Sequence, residues 1–411
     1  MNNNHDPLGA LKIHDFRVFV TARFFLTFSL QVQNVVLGWQ VYQITKDPLS
    51  LGFLGLAEAV PAISVALFGG HLADTFNRKK VIIFISFILL VCSAGLFFNA
   101  GDLHFNQVDS KVNVIYLMVF LSGIARGLLG PSIFALWPTL IKNKEVFSNA
   151  VTWNSTIWQI SSTLGPAIGG LLIAPLGIQG SYLLDFILMG ISVVFFMQIN
   201  FKPAPKVELV GGFWSNLLNG AKFVLEQKVL LSALSLDLFA VLFGGVSALL
   251  PVFAQEVLHV GSFEYGLLKS GMGIGAIIAA ITLAFYPIRK RAGIFMLASV
   301  ACFGVCMIGF AFSTLFIVSL LLLVVGGYFD GISVVIRATL TQTYTPDHMK
   351  GRVSAINNIF IGSSNEIGAF ESGLAAKLMG LIPSVIFGGI TSIGVVIATA
   401  LASPRLRKLN F

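Results

Sequence analysis

Long apolar runs recur along the chain from Phe16 onward, and they constrain its fold more than any other feature. A helix needs roughly twenty apolar residues to cross a hydrocarbon core of about 30 Å. Only 11% of the 411 residues are charged and 56% are hydrophobic, so the chain cannot cover a water-facing surface. The runs are too long and too continuously apolar for the alternating segments of a β-barrel. The sequence therefore predicts a helical protein of the lipid bilayer.

Twelve membrane-spanning helices are predicted from the lengths and flanks of these runs. The first six lie near residues 16–44, 50–73, 79–98, 113–141, 148–174 and 180–201. The second six lie near residues 229–257, 263–286, 291–312, 315–345, 352–379 and 383–402. Residues 1–16 lack a short apolar core followed by a small-residue cleavage site, so no removable signal peptide is expected.

Most of the 26 Lys and Arg residues fall in the loops on one side of the predicted helices. Cytoplasmic loops carry such an excess, so the protein is predicted to lie in the cytoplasmic (inner) membrane with both termini in the cytoplasm. The net charge of +8 follows from this bias, and no nucleic-acid partner is inferred. The cysteines, Cys92, Cys302 and Cys306, all fall in apolar helices, where a packing role is favoured over a metal or redox site. No metal or cofactor is expected.

The most polar break in the chain, residues 202–228, divides six predicted helices from six. The predicted domains are an N-terminal bundle at 1–201, a cytoplasmic linker at 202–228 with an amphipathic segment near 213–225, a C-terminal bundle at 229–402 and a tail at 403–411. Internal similarity supports two copies of one unit, with Gly127, Asn154, Gly165 and Gly170 aligning with Gly331, Asn357, Gly368 and Gly373. The predicted fold is an all-α membrane protein with twelve transmembrane helices in two pseudo-symmetric six-helix bundles. Parallel repeats of this kind are described for transporters whose site lies at the bilayer midplane between the halves.

The stretch "GHLADTFNRKK" at residues 70–80 concentrates charge between the second and third predicted helices. It resembles the G-x-L-a-D-r-x-G-R-K signature of the major facilitator superfamily, matching at Gly70, Leu72, Asp74, Arg78 and Lys79. Asn77 replaces the second glycine, and Asn also tolerates a left-handed turn. Asp74 and Arg78 can pair across the turn. The alternative is that the basic residues only mark the cytoplasmic side, which leaves Asp74 unexplained.

The resemblance implies that Asp74 latches against the N-terminus of the eleventh helix near Arg352, where the helix dipole favours an anion. "RGLLG" at 126–130 resembles the R-x-x-q-G element of the fourth helix, with Leu129 in place of Gln. "SSTLGPAIGG" at 161–170 resembles a fifth-helix element of proton-antiport exporters, with its core at Gly165, Pro166 and Gly169. Its glycines permit close packing and its proline bends a helix, although close packing alone would account for the glycines.

"TPDHMKGRVSAINN", from Thr345, resembles the branch of the superfamily that contains macrolide-efflux and enterobactin-exporter proteins. This resemblance implies a monomeric secondary transporter that exports amphiphilic small molecules (drug, siderophore or lipid-like) in exchange for protons or sodium. The alternative is an importer or facilitator of a polar nutrient or ion. A sensor or an intramembrane enzyme is disfavoured, because the sequence carries no H-E-x-x-H or G-x-S-x-G motif.

Charged residues inside the predicted helices indicate the site, because each costs about 3 kcal/mol or more near the bilayer centre. Arg126 and Asp330 occupy repeat-equivalent positions in the fourth and tenth helices. The superfamily lines its cavity with the first, fourth, seventh and tenth helices, so the resemblance implies that these two residues face each other from opposite halves. A pair that forms and breaks would couple the two halves. The alternative is a static pair that only neutralises two buried charges.

Two stripes of polar residues at helical spacing predict one hydrated cavity. The first helix carries Arg23, Thr27, Gln31 and Asn34, and the tenth carries Asp330, Ser333, Arg337, Thr341 and Tyr344. Such stripes also occur as hydrogen-bonded contacts between helices, and that alternative stays open. Weaker candidates for the lining are Asn154, Trp158, Gln159, Asn357 and Asn358. An apolar wall is expected from aromatic residues that include Trp39, Trp137 and Trp158.

The remaining carboxylates are sorted by depth in the predicted helices. Asp237, Asp330 and Glu366 lie deepest and are the predicted proton carriers, because burial favours a protonated carboxyl group. Glu58 and Glu371 fall in the outer halves of neighbouring helices and predict an outer gate. Asp185 and Lys269 are expected to extend towards the membrane interface.

Overall fold

All regular structure is helical in the part of the chain that the structure describes. The computed structural model describes residues 6–101, 108–141, 146–200, 213–288, 290–346 and 349–409, without the side chains of 66–75, 108–109, 213–217, 351, 355, 358, 359 and 363. Two compact units result. The N-terminal unit comprises Met1–Gln40 and Val60–Glu208, and the C-terminal unit comprises Val41–Ala59 and Leu209–Phe411.

Five long helices occupy the first part of the chain. They are α1 (His14–Thr45), α2 (Pro48–Thr75), α3 (Arg78–Ala100), α4 (Val108–Leu136) and α5 (Phe147–Gln198). Helix α5 is interrupted at Gly177, which has φ 67° and ψ 179°, a backbone conformation essentially restricted to glycine. The two helices predicted at 148–174 and 180–201 lie on either side of this break.

Seven further helices of at least 14 residues follow in the described part of the C-terminal unit. They are α6 (Phe213–Glu226), α7 (Lys228–Gly244), α8 (Ser262–Phe285), α9 (Ala292–Phe312), α10 (Phe316–Tyr344), α11 (Lys350–Met379) and α12 (Leu381–Ala402). Helix α6 coincides with the amphipathic segment expected in the linker. Between α7 and α8 the chain forms a short turn, Leu250–Val252, and a π-helical turn, Phe253–Val257.

The helices are consistent with twelve membrane crossings. By length and composition, eight helices of the described residues can cross a membrane, or nine if the bent pair formed by α6 and α7 counts as one crossing. Helix α5 counts once in that number but holds two apolar segments. Helix α7 is only 17 residues long, and α1 and α11 are more polar than their neighbours because they carry amide and charged side chains.

Packing within each unit repeats the same helix contacts. A side chain added at Gly127 of α4 would collide with the backbone of Ala62 in α2, and one at Gly331 of α10 would collide with Ala276 in α8. These glycines are the pair aligned in the sequence repeat. In lipid, close backbone approach of this kind replaces the hydrophobic driving force between helices. The internal repeat predicted from the sequence is therefore matched by equivalent helix contacts in the two units.

A second pair of aligned glycines makes the next equivalent contact. Gly165 of α5 packs on Gln31 of α1, and Gly368 of α11 packs on Leu242 of α7. Each unit also has its own apolar core, which includes Phe19, Ile82, Phe196 in the first unit and Leu230, Met296, Leu340 in the second. The fifth-helix element found in the sequence is thus a close contact between α5 and α1.

The segment Val41–Ala59, which joins α1 to α2, groups with the C-terminal unit although it lies in the first predicted bundle. Lys377 Nζ of α11 pairs with Asp47 Oδ2 at 2.6 Å, and Lys46 Nζ donates to Gln255 Oε1 at 2.8 Å. Tyr42 donates its hydroxyl to Glu256 Oε1 at 3.2 Å.

Candidate functional site

A cavity of about 330 Å³ lies within the N-terminal unit between α1, α4 and α5. Its polar lining consists of Arg23, Thr27, Gln31, Asn34, Arg126 and Asn154. Its apolar lining includes Leu26, Leu30, Ile133, Phe134, Trp137 and Trp158. All four residues of the predicted α1 stripe therefore face one space. Two residues expected in the lining, Trp39 and Gln159, do not belong to it. The side chain of Gln159 instead donates to Thr163 Oγ1 at 3.4 Å.

Two arginines in this cavity are oriented by amide oxygens. Arg23 Nη1 of α1 donates to Asn154 Oδ1 of α5, and Arg126 Nη2 of α4 donates to Asn34 Oδ1 of α1 at 3.3 Å. A guanidinium carries five N–H donors, so an amide partner fixes its direction while using only part of its hydrogen-bonding capacity. The three lining helices are thus linked by the residues that face the cavity.

A buried charge cluster joins α7 to α10 in the C-terminal unit. Arg337 of α10 forms an ion pair with Asp237 of α7, and both side chains are buried. Asp330 lies two turns before Arg337 on α10 and interacts electrostatically with both of these residues. Two predicted proton carriers, Asp237 and Asp330, therefore lie near one guanidinium within the same unit, and the ion pair joins it to Asp237.

A second cavity, of about 190 Å³, lies between α10 and α11. Its polar lining is formed by Arg337, Thr341, Gln342, Lys350, Ser354 and Asn357. Of the predicted α10 stripe, Arg337 and Thr341 face this space. Asp330, Ser333 and Tyr344 are not in its lining, and Ser333 is buried. The side chain of Asn358 lies outside the described residues.

Asp185 does not extend towards the membrane interface, so that prediction is wrong. Its side chain on the second half of α5 is fully buried. It accepts hydrogen bonds from Ser29 Oγ and from Gln33 Nε2, the latter at 2.9 Å, and it interacts electrostatically with Arg126. Sequence reasoning missed this network. The spacing of Ser29 and Gln33, one turn apart on α1, is the signal that could have revealed it.

Lys269 of α8 also has partners inside its unit. It interacts electrostatically with Glu366 of α11 and Glu58 of α2. A side chain added at Gly55 would lie 3.8 Å from Glu366 Oε2, which places this carboxylate beside α2. Glu371, the predicted partner of Glu58, is half-buried on α11 and forms no hydrogen bond or ion pair with another described residue. Glu366 lines neither cavity described above.

The basic residues of the "GHLADTFNRKK" stretch bind the ends of two helices. Arg78 Nη1 donates to the carbonyl oxygen of Ala135 at 2.9 Å, and Lys79 Nζ donates to that of Met197 at 2.7 Å. These carbonyls lie in the last turns of α4 and α5, where a cation is favoured by the helix dipole.

Asn77 is the N-cap of α3, accepting from the Lys80 N–H at 3.3 Å with φ −65°. Asn77 therefore does not adopt the left-handed conformation that the sequence comparison allowed at this position. Gly70 and Asp74 fall in the part of α2 whose side chains lie outside the described residues, so the latch between Asp74 and α11 stays a prediction. On α11 itself, Arg352 packs its backbone against Gly220 of α6, and its guanidinium contacts Met349 Sδ at 3.6 Å.

The fifth-helix element lies at the contact between α5 and α1. Gly169 approaches the backbone of Val32, where an added side chain would lie 3.2 Å from its Cα atom. Pro166 lies inside α5, and the only non-helical backbone within α5 is at Gly177. Among the described residues, no group of three or more His, Cys, Asp or Glu side chains is arranged to hold a metal ion.

Comparison with known proteins gives consistent matches. The family model described as Major Facilitator Superfamily matches residues 19–369. The Enterobactin exporter EntS of Salmonella typhi is 26% identical over 97% of this chain and 95% of its own length. Two solved structures share the fold. A D-xylose-proton symporter has a TM-score of 0.73 at 14% identity, covering 96% of this chain and 99% of its own. A bacterial homologue of the iron transporter ferroportin, in an inward-facing state, has a TM-score of 0.72 at 16% identity, covering 97% and 99%.

Proposed function

The chain belongs to the Major Facilitator Superfamily, and we propose that it exports amphiphilic small molecules from the cytoplasm in exchange for protons. It is a multi-pass membrane transporter. The name of its relatives, enterobactin exporter, supports outward transport. The Lys and Arg bias of the loops supports a position in the cytoplasmic membrane with both termini inside the cell. We propose that the functional unit is a monomer.

The mixed lining of the N-terminal cavity supports an amphiphilic substrate. Trp137, Trp158 and Phe134 provide apolar surface, while Gln31, Asn34 and the arginines provide hydrogen bonds in the same space. Ligand sites generally combine an apolar wall with a few polar groups that fix orientation. Sugar carriers would present more amide and hydroxyl groups around the site.

The observation that carries proton exchange is the cluster of Asp237, Arg337 and Asp330. One guanidinium neutralises one carboxylate, and the ion pair assigns it to Asp237. The second carboxylate, on Asp330, then has no counter-ion of its own within this cluster, and an uncompensated charge is costly in such a region whenever no other partner is in place. A proton on Asp330 removes that charge. We therefore propose that the cluster takes up a proton from outside and releases it to the cytoplasm, with the proton carried by Asp330.

The pair of Arg126 and Asp330 expected from the sequence remains part of the proposal. Protonation of Asp330 would remove one partner of that pair. Proton binding would in this way bias which side of the transporter is open, which is the requirement for exchange. Glu366 is the second candidate for carrying the proton, because it interacts electrostatically with Lys269, as Glu58 does.

The test is transport by the purified protein in liposomes under an imposed pH gradient. Dyes, antibiotics, siderophores and lysolipids are screened for gradient-dependent movement, and inside-out vesicles give the direction of flux. Substrate-driven proton release is expected to be lost in Asp330→Asn. The matched control is Glu226→Gln, an exposed carboxylate on α6 that pairs with Lys222.

Two outcomes would contradict the proposal. Unchanged substrate-driven proton release in Asp330→Asn would reject Asp330 as the carrier. Flux towards the cytoplasm that follows the proton would identify an importer instead.

A further inference from the structure

Five exposed basic residues lie at one end of the C-terminal unit, in the turn between α8 and α9 and in the tail segment after α12, residues 403–409. We call them the basic rim, and they are Lys290, Arg291, Arg405, Arg407 and Lys408. Neither residues 281–300 nor residues 401–411 contain Asp or Glu. The two segments therefore carry charge of one sign.

The tail segment is fixed against the start of α9 by two leucines. Leu406 and Leu409 are buried, in the core that also holds Ala292 and Met296 of α9. A side chain added at Gly293 would lie 1.7 Å from the carbonyl oxygen of Leu406, so glycine permits this close approach. The tail segment alternates buried leucines with exposed cations. Its packing therefore places those cations beside the turn between α8 and α9, although the two segments are far apart in the sequence.

Three cations of the basic rim have no partner in the part of the chain that the structure describes. The side chains of Lys290, Arg405 and Arg407 form no hydrogen bond or ion pair with another described residue. Arg291 and Lys408 do have interactions of their own. Like charges gathered on one surface repel one another, and an anion between them removes that repulsion. The basic rim therefore favours an anionic partner.

Large apolar side chains are exposed directly beside the basic rim. Phe285 and Tyr286, at the end of α8, are exposed at 76% and 78%, and Leu401, at the end of α12, is exposed at 72%. Both helices are long and apolar enough to cross a membrane. In each segment an apolar helix leads to an exposed apolar or aromatic residue and then to cations. A bilayer presents the matching order, from hydrocarbon through the interface to the phosphate groups.

We propose that the basic rim binds anionic phospholipids on the membrane surface that is predicted to face the cytoplasm. The phosphate group lies against the tail segment and the α8–α9 turn, and the acyl chains lie against Phe285 and Leu401. Guanidinium groups suit phosphate oxygens because they offer paired N–H donors in a fixed geometry. None of these residues lines either described cavity, so the inference does not depend on the proposed function.

The orientation of the chain in the membrane does not require this arrangement. The effect of loop cations on orientation depends on their number and their position along the sequence. It does not require that a distant tail segment be anchored by Leu406 and Leu409 beside the α8–α9 turn. A soluble anion would explain the cations but not the exposed apolar residues next to them. A phospholipid accounts for both.

The test compares two lipids that differ only in their head group. Dioleoyl phosphatidylglycerol is anionic, and dioleoyl phosphatidylcholine is zwitterionic. Native mass spectrometry of the full-length protein, released from detergent micelles, counts the bound lipids and gives their affinities. The unmodified protein should bind phosphatidylglycerol more tightly by about tenfold or more, since each cation near an anionic lipid is worth about fivefold. Added salt should weaken the binding of phosphatidylglycerol alone.

The variants separate the basic rim from net charge. Arg405→Gln combined with Arg407→Gln should weaken phosphatidylglycerol binding about tenfold or more, and Lys290→Gln about fivefold. The matched control combines Lys12→Gln with Lys222→Gln, which removes two exposed cations elsewhere in the chain. It should change the affinity less than about twofold. Unchanged phosphatidylcholine binding and an unchanged unfolding temperature without added lipid report that the variants are folded.

Three outcomes would overturn the proposal. The first is equal affinity of the unmodified protein for the two lipids. The second is an equal loss of phosphatidylglycerol binding in the tail variant and in the control, because net charge alone would then explain it. The third is displacement of bound phosphatidylglycerol by inorganic phosphate at the same concentration, which would identify a soluble anion as the partner.

Discussion

Asp185 illustrates how a single residue in a membrane helix depends on its neighbours. A carboxylate in the interior of a bundle is costly unless its lone pairs receive hydrogen bonds. Ser29 and Gln33 of α1 donate to it, and Gln33 also donates to Ser93 of α3 at 3.2 Å. Asp185 therefore links α1 to α5 within the N-terminal unit, and through Gln33 it also links α3. The electrostatic contact with Arg126 connects this network to the cavity.

We expect Asp185→Ala to destabilise the protein by about 3 kcal/mol, because Ser29 Oγ and Gln33 Nε2 lose their hydrogen bonds to the carboxylate in a buried site. Asp185→Asn should lose less, since the amide oxygen still accepts one hydrogen bond. Thermal unfolding of the three proteins in one detergent measures the difference. A stability equal to that of the unmodified protein in Asp185→Ala would mean that the carboxylate is solvated in the folded state.

At the scale of elements, charged side chains join α2, α8 and α11. Lys269 interacts with Glu58 and Glu366, and the Lys377–Asp47 pair ties the end of α11 to the start of α2. Lys377 and Asp47 are part-exposed, so their pair contributes at most about 1 kcal/mol. We expect the Lys269 cluster, whose residues lie on three helices, to contribute more.

Lys269→Met should lower stability by about 3 kcal/mol or more, because it removes the cation that interacts with Glu58 and Glu366 in a region of low dielectric. The double variant Lys269→Met with Glu366→Gln should recover part of that loss. Thermal unfolding of the single and double variants provides the measurement. A double variant less stable than Lys269→Met would show that Glu366 is stabilised by contacts other than Lys269.

The whole molecule repeats its helix contacts at aligned glycines. Gly127 and Gly331 let α4 and α10 approach α2 and α8 in their respective units. Lipid offers apolar surface as readily as protein does, so the choice of neighbour depends on close packing. Small residues at matching positions of the repeat thus specify the same contact twice.

Gly127→Ala and Gly331→Ala should each cost about 1–3 kcal/mol, because the added methyl group overpacks a close helix contact. The matched controls are Gly130→Ala in α4 and Gly394→Ala in α12, where an added side chain meets nothing within 4 Å. The yield of monodisperse protein and its thermal unfolding give the comparison. Equal stability of all four variants would contradict the packing described for the two units.

The sequence by itself determined the order and approximate positions of most helices, the internal repeat and the superfamily. These features depend on local properties, which are the length of an apolar run, helical spacing and the positions of glycine and proline. The α1 stripe could be predicted for the same reason, since Arg23, Thr27, Gln31 and Asn34 share a face on any helix that contains them. All four line one cavity.

Only the tertiary structure decided the partners of the charged residues. Asp185 meets Ser29 and Gln33, and Lys269 meets Glu366 and Glu58, each through contacts between residues far apart in the chain. Nor does the sequence indicate that Val41–Ala59 groups with the C-terminal unit. An apolar helix can turn any face to lipid at similar cost, so local patterns leave its rotation and neighbours open, and close packing between distant segments fixes both.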